Sequence, residues 1–330
     1  MLESFSNNID ISIIIVTYKS WNDLRNCLLS IKEANSLELK LEVVVVDNCS
    51  NDGNIFEFKK EFPNLKFIEN TGNNGFANGC NLGAKNALGK YLFFLNPDTI
   101  INKDSIVKMF TFLEKHANCG IVSCNQKNTK GSYENNIRFF PNLETLFGLF
   151  RVINKSNLIK RIKNKNNVIY TEWVSGAVVF ISKFWFDKIN GWNEDFWMYF
   201  EDVDLSKKVT DLGGEICLLT NTEIIHNHGG SSRINIKTAL ITKTEVLISK
   251  HVYIRNHFKG FKYFILQLLV VLNNLIGKII SVILGLIFFF VPKLRLKALL
   301  YFNILKYYFS SLKNKTWLSP KSMNYPHKSV

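Results

Sequence analysis

Residues 11–17 read ISIIIVT, a short β-branched apolar run bounded by polar residues, the pattern of a parallel strand buried on both faces. Residues 23–31 follow with apolar positions at 24, 27, 28 and 31, which is helical spacing. Residues 41–50, LEVVVVDNCS, repeat the strand pattern and end in a polar loop, and residues 64–70, NLKFIEN, predict a third, shorter strand. A Gly/Asn turn opens a helix over 73–88, and KYLFFLNPDT at 90–99 predicts a fourth strand with a polar end. The stretch 125–170 is polar and basic with few periodic signals apart from an apolar run at 143–150, so it predicts a loop carrying a mobile helix. WVSGAVVFIS at 173–182 predicts another buried strand, 203–212 a short helix, and EICLL at 215–219 and EIIHNHGGSS at 223–232 finish the pattern.

Strand and helix alternate, which predicts an α/β fold with a mainly parallel central sheet and helices on both faces. In such sheets ligands bind beyond the carboxyl ends of the strands. The polar clusters TYKS, DNCSNDG and NPDT all fall at such ends and should converge on one crevice. Past about residue 240 the pattern changes. Residues 264–291 are almost wholly apolar, interrupted by Asn273, Asn274 and Lys278, and an apolar–basic stretch at 294–312 follows Pro292. The chain therefore divides into an α/β domain over 1–240, the part that would carry any catalytic site, and a basic, apolar helical tail over 241–330.

Charge sharpens that division. The net charge is +14, yet residues 246–330 contain 13 Lys and Arg and no Asp or Glu, which leaves +1 for residues 1–245. The tail's basic residues are set within long aliphatic runs, which suits an anionic membrane surface and not nucleic acid. Its apolar run is long enough to span a bilayer. Polar residues near its centre and basic flanks on both sides favour an interfacial helix or helical hairpin instead. Other readings are a helical subdomain packed on the catalytic domain, or the contact of a homo-oligomer. The six cysteines include no CxxC pair and read as reduced, mostly buried thiols. The first 20 residues, with an acid at position 3 and no basic region, do not read as a secretory signal, so a cytoplasmic location is expected.

Residues 196–208, FWMYFEDVDLSKK, set four aromatics in five positions ahead of Glu201, Asp202 and Asp204. The three acids could be no more than the cap and first turn of a helix. That accounts for neither the aromatic cluster nor the other motifs. The segments SIIIVTY, VVVVDNCSNDG, NNGFANGCNLG, YLFFLNPDT, WVSGAVVFI, GWNEDFWMYFEDVDL and HNHGGSS, in this order over residues 10–235, resemble family 2 glycosyltransferases of the GT-A fold, in particular the bacterial rhamnosyltransferase-like subgroup.

The resemblance implies an inverting glycosyltransferase that moves a sugar from a nucleotide-sugar donor to a lipid-linked saccharide acceptor in cell-surface polysaccharide synthesis. The donor is dTDP-L-rhamnose or a UDP-hexose. The enzyme would lie on the inner face of the cytoplasmic membrane. Asp202 matches the catalytic base, with Glu201 and Asp204 on acceptor or donor hydroxyls. The family's DxD is here Asn96-Pro97-Asp98, which leaves Asp98 as the metal ligand for Mg²⁺ or Mn²⁺ and groups Asn96 with the donor. His226, preferred over His228, would be a second ligand. Thr17 and Tyr18 would contact base and ribose, and Asp47 would accept from a pyrimidine N3–H, with Asn48 nearby. Asn74, Gly75 and Phe76 would approach ribose and diphosphate. Gly176 would line the acceptor side, with Trp173 as a sugar-stacking wall or a core residue. Two other readings differ in class. One is a catalytically inactive sugar-nucleotide-binding membrane scaffold. The other is a nucleotidyltransferase, which would want a Gly-rich basic loop where VTYKSWNDL stands.

Overall fold

The computed structural model describes residues 9–34, 39–134, 137–227 and 235–326. The strands are β1 (Ile11–Thr17), β2 (Leu41–Asp47), β3 (Lys66–Glu69), β4 (Tyr91–Leu95), β5 (Thr99–Ile100), β6 (Cys119–Lys127), β7 (Lys163–Lys165), β8 (Val168–Tyr170), β9 (Val178–Ser182) and β10 (Glu215–His226). They form one sheet in the order β3-β2-β1-β4-β9-β6-β10-β8-β7, with β5 paired to β10. Alternate residues of β1 go to opposite faces. Ile11, Ile13 and Ile15 join one core with the helices Trp21–Ala34 and Lys103–Lys115. Ile14 and Val16 join another with Ala77, Cys80 and Ala84 of the helix Phe76–Lys85 and Leu205 and Val209 of the helix Glu201–Asp211. Both faces are covered, as the apolar runs require.

The sheet is mixed, with β3, β2, β1, β4, β6 and β10 all running in one direction. β3, β2, β1 and β4 are parallel to their neighbours, but β9 runs antiparallel to both β4 and β6, and the β7–β8 hairpin adds to the edge of β10. A strand buried on both faces looks the same in sequence whichever way it runs. Residues 143–160 form three short helices, not one mobile helix in a loop, and each is too short to show a period. The helix Lys103–Lys115 and β6 had no counterpart in the sequence reading. The helix opens on an Asn102/Ser105 capping box, a weaker signature than one closed by Glu or Gln.

The boundary at 240/241 falls inside one helix, Ile236–His257. That helix shares a core with the aromatic motif: Phe196 and Val203 pack with Leu247, Val252, Tyr253, Ile304 and Leu318. The long apolar run is broken into two helices, Gly260–Leu275 and Ile279–Ile287. Two of its polar residues, Gln267 and Asn274, point inward, while Asn273 is exposed. Gln267 and Asn274 are buried, Gln267 against His251 and Asn274 on the Tyr308 hydroxyl at 2.9 Å. Phe264, Ile280 and Phe290 face outward, 60%, 75% and 77% exposed. This hairpin is inverted relative to a soluble helix pair.

The helix Pro292–Asn314 leads into a C-terminal strap that returns to the body. There Ser319 Oγ donates to the buried Glu245 at 3.0 Å. Burial pushes the Glu245 carboxyl up to about 7, against the pull of Ser319 and Lys321. Its folded pKa lies above the ordinary 4.5, so its stabilising contribution is complete at low pH and is lost as pH rises toward about 7. Glu245→Gln keeps the neutral shape. It should raise the thermal midpoint at pH 8 by about 2–5 °C and leave it nearly unchanged at pH 4.5, measured by calorimetric scans at both values.

Candidate active site

The carboxyl ends of β1, β2 and β4 and the start of β9 open on one crevice. Thr17 and Asp47 are register partners at the ends of β1 and β2. Thr17 Oγ1 is buried and has no hydrogen-bond partner, while Tyr18 beside it is exposed at the rim. Asp47 is buried and ties the two loops together through Ser50. The Ser50 hydroxyl donates to Asp47 at 2.5 Å and accepts from the Lys19 amide at 2.9 Å. Burial raises the Asp47 carboxyl, with the Ser50 bonds opposing it.

Asn48 turns away from the crevice into a polar ladder. It donates to Asn73 Oδ1 at 3.2 Å and to the Gly75 carbonyl at 3.1 Å, and accepts from Asn70 at 2.8 Å. Asn70 also bonds Asn78, Asn78 bonds Glu194, and Asn81 reaches Glu194 and the Trp192 carbonyl. The sequence reading assigned nothing to Asn70, Asn78, Asn81 or Glu194. Asn78 and Asn81 had a signal in the density of Asn in NNGFANGCN, while Asn70 and Glu194 lie outside that stretch. Asn74 reaches Asn70 at the long distance of 3.5 Å.

The aromatic run closes against this loop. Trp197 is buried, its indole N–H donates to the Asn73 carbonyl at 2.9 Å, and its own carbonyl accepts from the Phe76 amide at 3.1 Å. Gly75 makes that approach feasible. Its φ is +95°, and a Cβ there would stand 2.2 Å from the Trp197 carbonyl oxygen. Tyr199 and Phe200 both have φ of 69°, an unusual backbone for bulky residues, immediately before Glu201. The turn they make delivers Asp202 to the crevice.

Asp202 is half-buried in the first turn of its helix. Its carboxylate accepts from the Gly176 amide at 2.9 Å and the Val203 amide at 2.8 Å. Burial raises its pKa, while the Gly176 amide and the Arg138 charge oppose that rise. Gly176 lies between Asp202 and the Phe76 ring. The other two acids go elsewhere. Asp204, two residues on and therefore on the opposite helix face, is buried against His257 Nε2 at 2.7 Å and Asn193 at 3.3 Å. Glu201 is buried with Oε2 unpartnered, and burial first, then the Asp202 charge, pushes its carboxyl well up.

The Asn96-Pro97-Asp98 turn lies beside this carboxylate. The Asn96 amide donates to the Ala177 carbonyl at 3.0 Å, and Ala177 follows the glycine that holds Asp202. β5 and β10 then bring His226 to Asp98, with Nε2 and Oδ1 3.4 Å apart. His226 Nδ1 faces Gln126 at 3.0 Å and Glu134 at 2.9 Å. Burial pulls the imidazole down, but Asp98 and Glu134 outweigh it and raise the ring to about 9. His228 lies outside the described residues. Among the described residues no three Asp, Glu, His or Cys side chains converge as a closed metal cage. Asp98 and His226 Nε2 do form an open pair of hard O and N donors whose imidazole is oriented from behind, which fits Mg²⁺ or Mn²⁺ completed by diphosphate oxygens and water.

Sequence reasoning missed what joins the two halves. Glu134 also accepts from Arg138 at 2.9 Å. The Arg138 guanidinium lies 4.6 Å over the Trp173 ring. The Trp173 indole N–H donates to the Phe139 carbonyl at 2.9 Å. Asp98, His226, Glu134 and Arg138 thus form a continuous chain of charge, and the Arg138 charge acts on Asp202.

The profile of glycosyl transferase family 2 matches residues 12–185, and that of the N-terminal domain of galactosyltransferase matches residues 158–228. The low-salt glycan biosynthesis hexosyltransferase Agl10 of Haloferax volcanii is 30% identical over 225 residues, which cover 66% of this chain and 67% of that protein. The N-acetylglucosaminyl-diphospho-decaprenol L-rhamnosyltransferase of Mycobacterium tuberculosis is 23% identical over 67% of this chain and 76% of its own. Among solved structures, the mannosyltransferase PcManGT from Pyrobaculum calidifontis in complex with GDP-Man and Mn²⁺ superposes with a TM-score of 0.54 at 17% identity, covering 81% of this chain and 71% of that one. The matched profile spans more than half of the sequence, and the chain belongs to glycosyl transferase family 2.

Proposed function

We propose that the protein transfers a hexosyl group, with inversion, from a nucleoside-diphosphate sugar to a hydroxyl of a lipid-diphosphate-linked saccharide at a membrane surface. L-Rhamnose from dTDP-rhamnose or a hexose from a UDP-sugar is the donor group. The observation that carries the reading is the junction of β4 and β9, where one peptide segment holds both the Asn96 turn and Asp202. Asp202 would take the acceptor proton while the anomeric carbon is attacked from the face opposite the leaving diphosphate. Its raised pKa suits a base, and its two amide bonds keep it oriented. Asp98 and His226 would hold a divalent ion, which when bound offsets the charge of the leaving diphosphate. Gln126 and Glu134 orient His226 for that task. The lipid-linked acceptor is supported by the name of the mycobacterial relative and by the inverted hairpin.

Calorimetric titration with UDP, dTDP and GDP, each with and without Mn²⁺, tests the donor site. Binding of UDP or dTDP should strengthen at least about tenfold with Mn²⁺, and Asp98→Asn should remove that gain. No binding of any nucleotide by folded protein would overturn the reading. The hairpin is tested on vesicles of phosphatidylglycerol and phosphatidylcholine. Replacing Phe264, Ile280 and Phe290 together with Ser should weaken co-sedimentation more than about tenfold. Undiminished binding would remove the hairpin as the membrane contact. Cutting the chain at residue 260 is a poorer test, because Ile304 and Leu318 belong to the core around Phe196.

A further inference from the structure

A groove of about 790 Å³ is lined by Ile137, Phe139, Val152, Leu158, Ile159 and Trp173, with Arg138 and Arg151 at its polar positions. Trp173 lies three residues ahead of the glycine whose amide holds Asp202.

Arg151, on the groove wall, is also the first of a series of cations that continues through Lys250 to Lys278. Leu146 and Phe147 pack on Ile254 and Leu266, which sets the helix that carries Arg151 beside the helix that carries Lys250, one turn before Ile254. Lys250 is largely buried. Its ammonium is pushed down by burial and then by Arg151, and Lys278 is pushed down to about 8 by burial and then by Lys250. The nearby carboxylates are spent elsewhere. Glu134 serves Arg138 and His226, Glu144 pairs with Arg161 at 3.0 Å, and Glu172 accepts from the Phe140 amide. Among the described residues no carboxylate pairs with Arg151, Lys250 or Lys278, and Lys278 bonds only the Asn274 amide oxygen, at 3.1 Å. Lys250 and Lys278 are partly withdrawn from water and repel each other, and the exposed Arg151 repels Lys250 in turn, which costs stability unless an anion joins them.

We propose that the groove and this cation cluster form the binding site of a single-chain lipid diphosphate. The diphosphate would sit on Arg151, Lys250 and Lys278, and the first carbons of the chain would run toward the apolar face of the hairpin. The saccharide on the diphosphate would pass Trp173 to reach Asp202. An amphiphile is the occupant because neither half of the site suits a simpler ligand. A free phosphate would leave the apolar groove unused, and an uncharged lipid would leave the cations unpaired. The last part, delivery of a sugar to Asp202, rests on the glycosyl-transfer reading.

Equilibrium binding of farnesyl diphosphate to the full chain, below its micellar concentration, tests the site. Farnesyl diphosphate should bind at least about tenfold more tightly than inorganic pyrophosphate. Arg151→Gln combined with Lys250→Gln should weaken it at least about tenfold. Arg151→Gln alone, at an exposed position, should show part of the loss even if the Lys250 change perturbs folding. Equal affinity for pyrophosphate, or unchanged affinity in both variants, would overturn the proposal. Phosphatidylglycerol vesicles separate the two sources of lipid phosphate. Binding to them should change less than about threefold in the double variant. Loss of vesicle binding with farnesyl diphosphate affinity intact would make the cluster a membrane headgroup contact and would also overturn the proposal. UDP with Mn²⁺, titrated in the same preparation, keeps the two readings apart. Absent nucleotide binding beside intact farnesyl diphosphate binding would sink the glycosyl-transfer reading and leave the lipid site standing.

Discussion

Asp202→Asn should lower sugar transfer by about 10³-fold and leave nucleotide affinity within about threefold of the wild type. The amide is nearly isosteric, but the Gly176 and Val203 amides bond separate oxygens of the carboxylate, so Asn keeps one of these two bonds and loses the other, a local cost at the helix start that leaves the donor loop in place. What it cannot do is take a proton. Neither neighbouring acid can substitute. Glu201 is buried among apolar groups near Cys80, and Asp204 is held by His257 on the far face of the helix. Single-turnover transfer and nucleotide titration on the same preparation separate chemistry from binding. Wild-type turnover in the variant would remove Asp202 from the role of base.

Gly75→Ala should reduce nucleotide affinity by at least about 100-fold and lower stability by about 3 kcal/mol. The added methyl meets a backbone carbonyl, which has no rotamer to adopt, at 2.2 Å, and φ of +95° is itself unfavourable for alanine. The loop must therefore leave Trp197, and the Phe76 amide loses its acceptor. Two milder variants calibrate the result. Gly176→Ala adds a methyl at 3.4–3.7 Å from Asp202 and Phe76, an ordinary contact, and should cost well under tenfold. Trp197→Phe removes the indole bond to Asn73 and should cost about 1 kcal/mol of stability. Thermal midpoints and nucleotide titrations give both readouts. If Gly75→Ala binds nucleotide like the wild type, close apposition of the loop and the aromatic run is not what shapes the donor site.

The aromatic run has a different role from the one its composition suggests. A wall of flat rings beside a carboxylate invites comparison with a sugar-stacking surface. In the folded chain Phe196 and Phe200 instead face the C-terminal helices, with Phe200 and Tyr253 rings 6.0 Å apart, and Trp197 secures the donor loop and carries Lys321 over its face at 4.0 Å. The motif is a three-way joint between loop, Asp202 and tail, which is why the tail cannot be treated as a detachable anchor. Lys321 comes from more than 100 residues downstream, a separation at which sequence carries no pairing signal.

By itself the sequence determined the strands β1, β2 and β4, the helices Trp21–Ala34 and Phe76–Lys85, the family, and the confinement of charge to a tail without acids. These are local properties. A β-branched run buried on both faces, a Gly/Asn turn and a charge count depend on residues near one another in the chain. Tertiary structure decided the rest. It set the direction of β9, which burial on both faces conceals. It joined His226 to Asp98 through the β5–β10 pairing and backed it with Glu134, a residue more than 90 positions away. It turned Asn48 and Asp204 into internal partners and left Asp202 facing the crevice. It also turned Gln267 and Asn274 inward, so that they hold the hairpin to the helices before and after it while its apolar face is left outside. Each of these outcomes depends on which distant groups satisfy a buried polar atom or charge, and that is settled only when the whole chain packs.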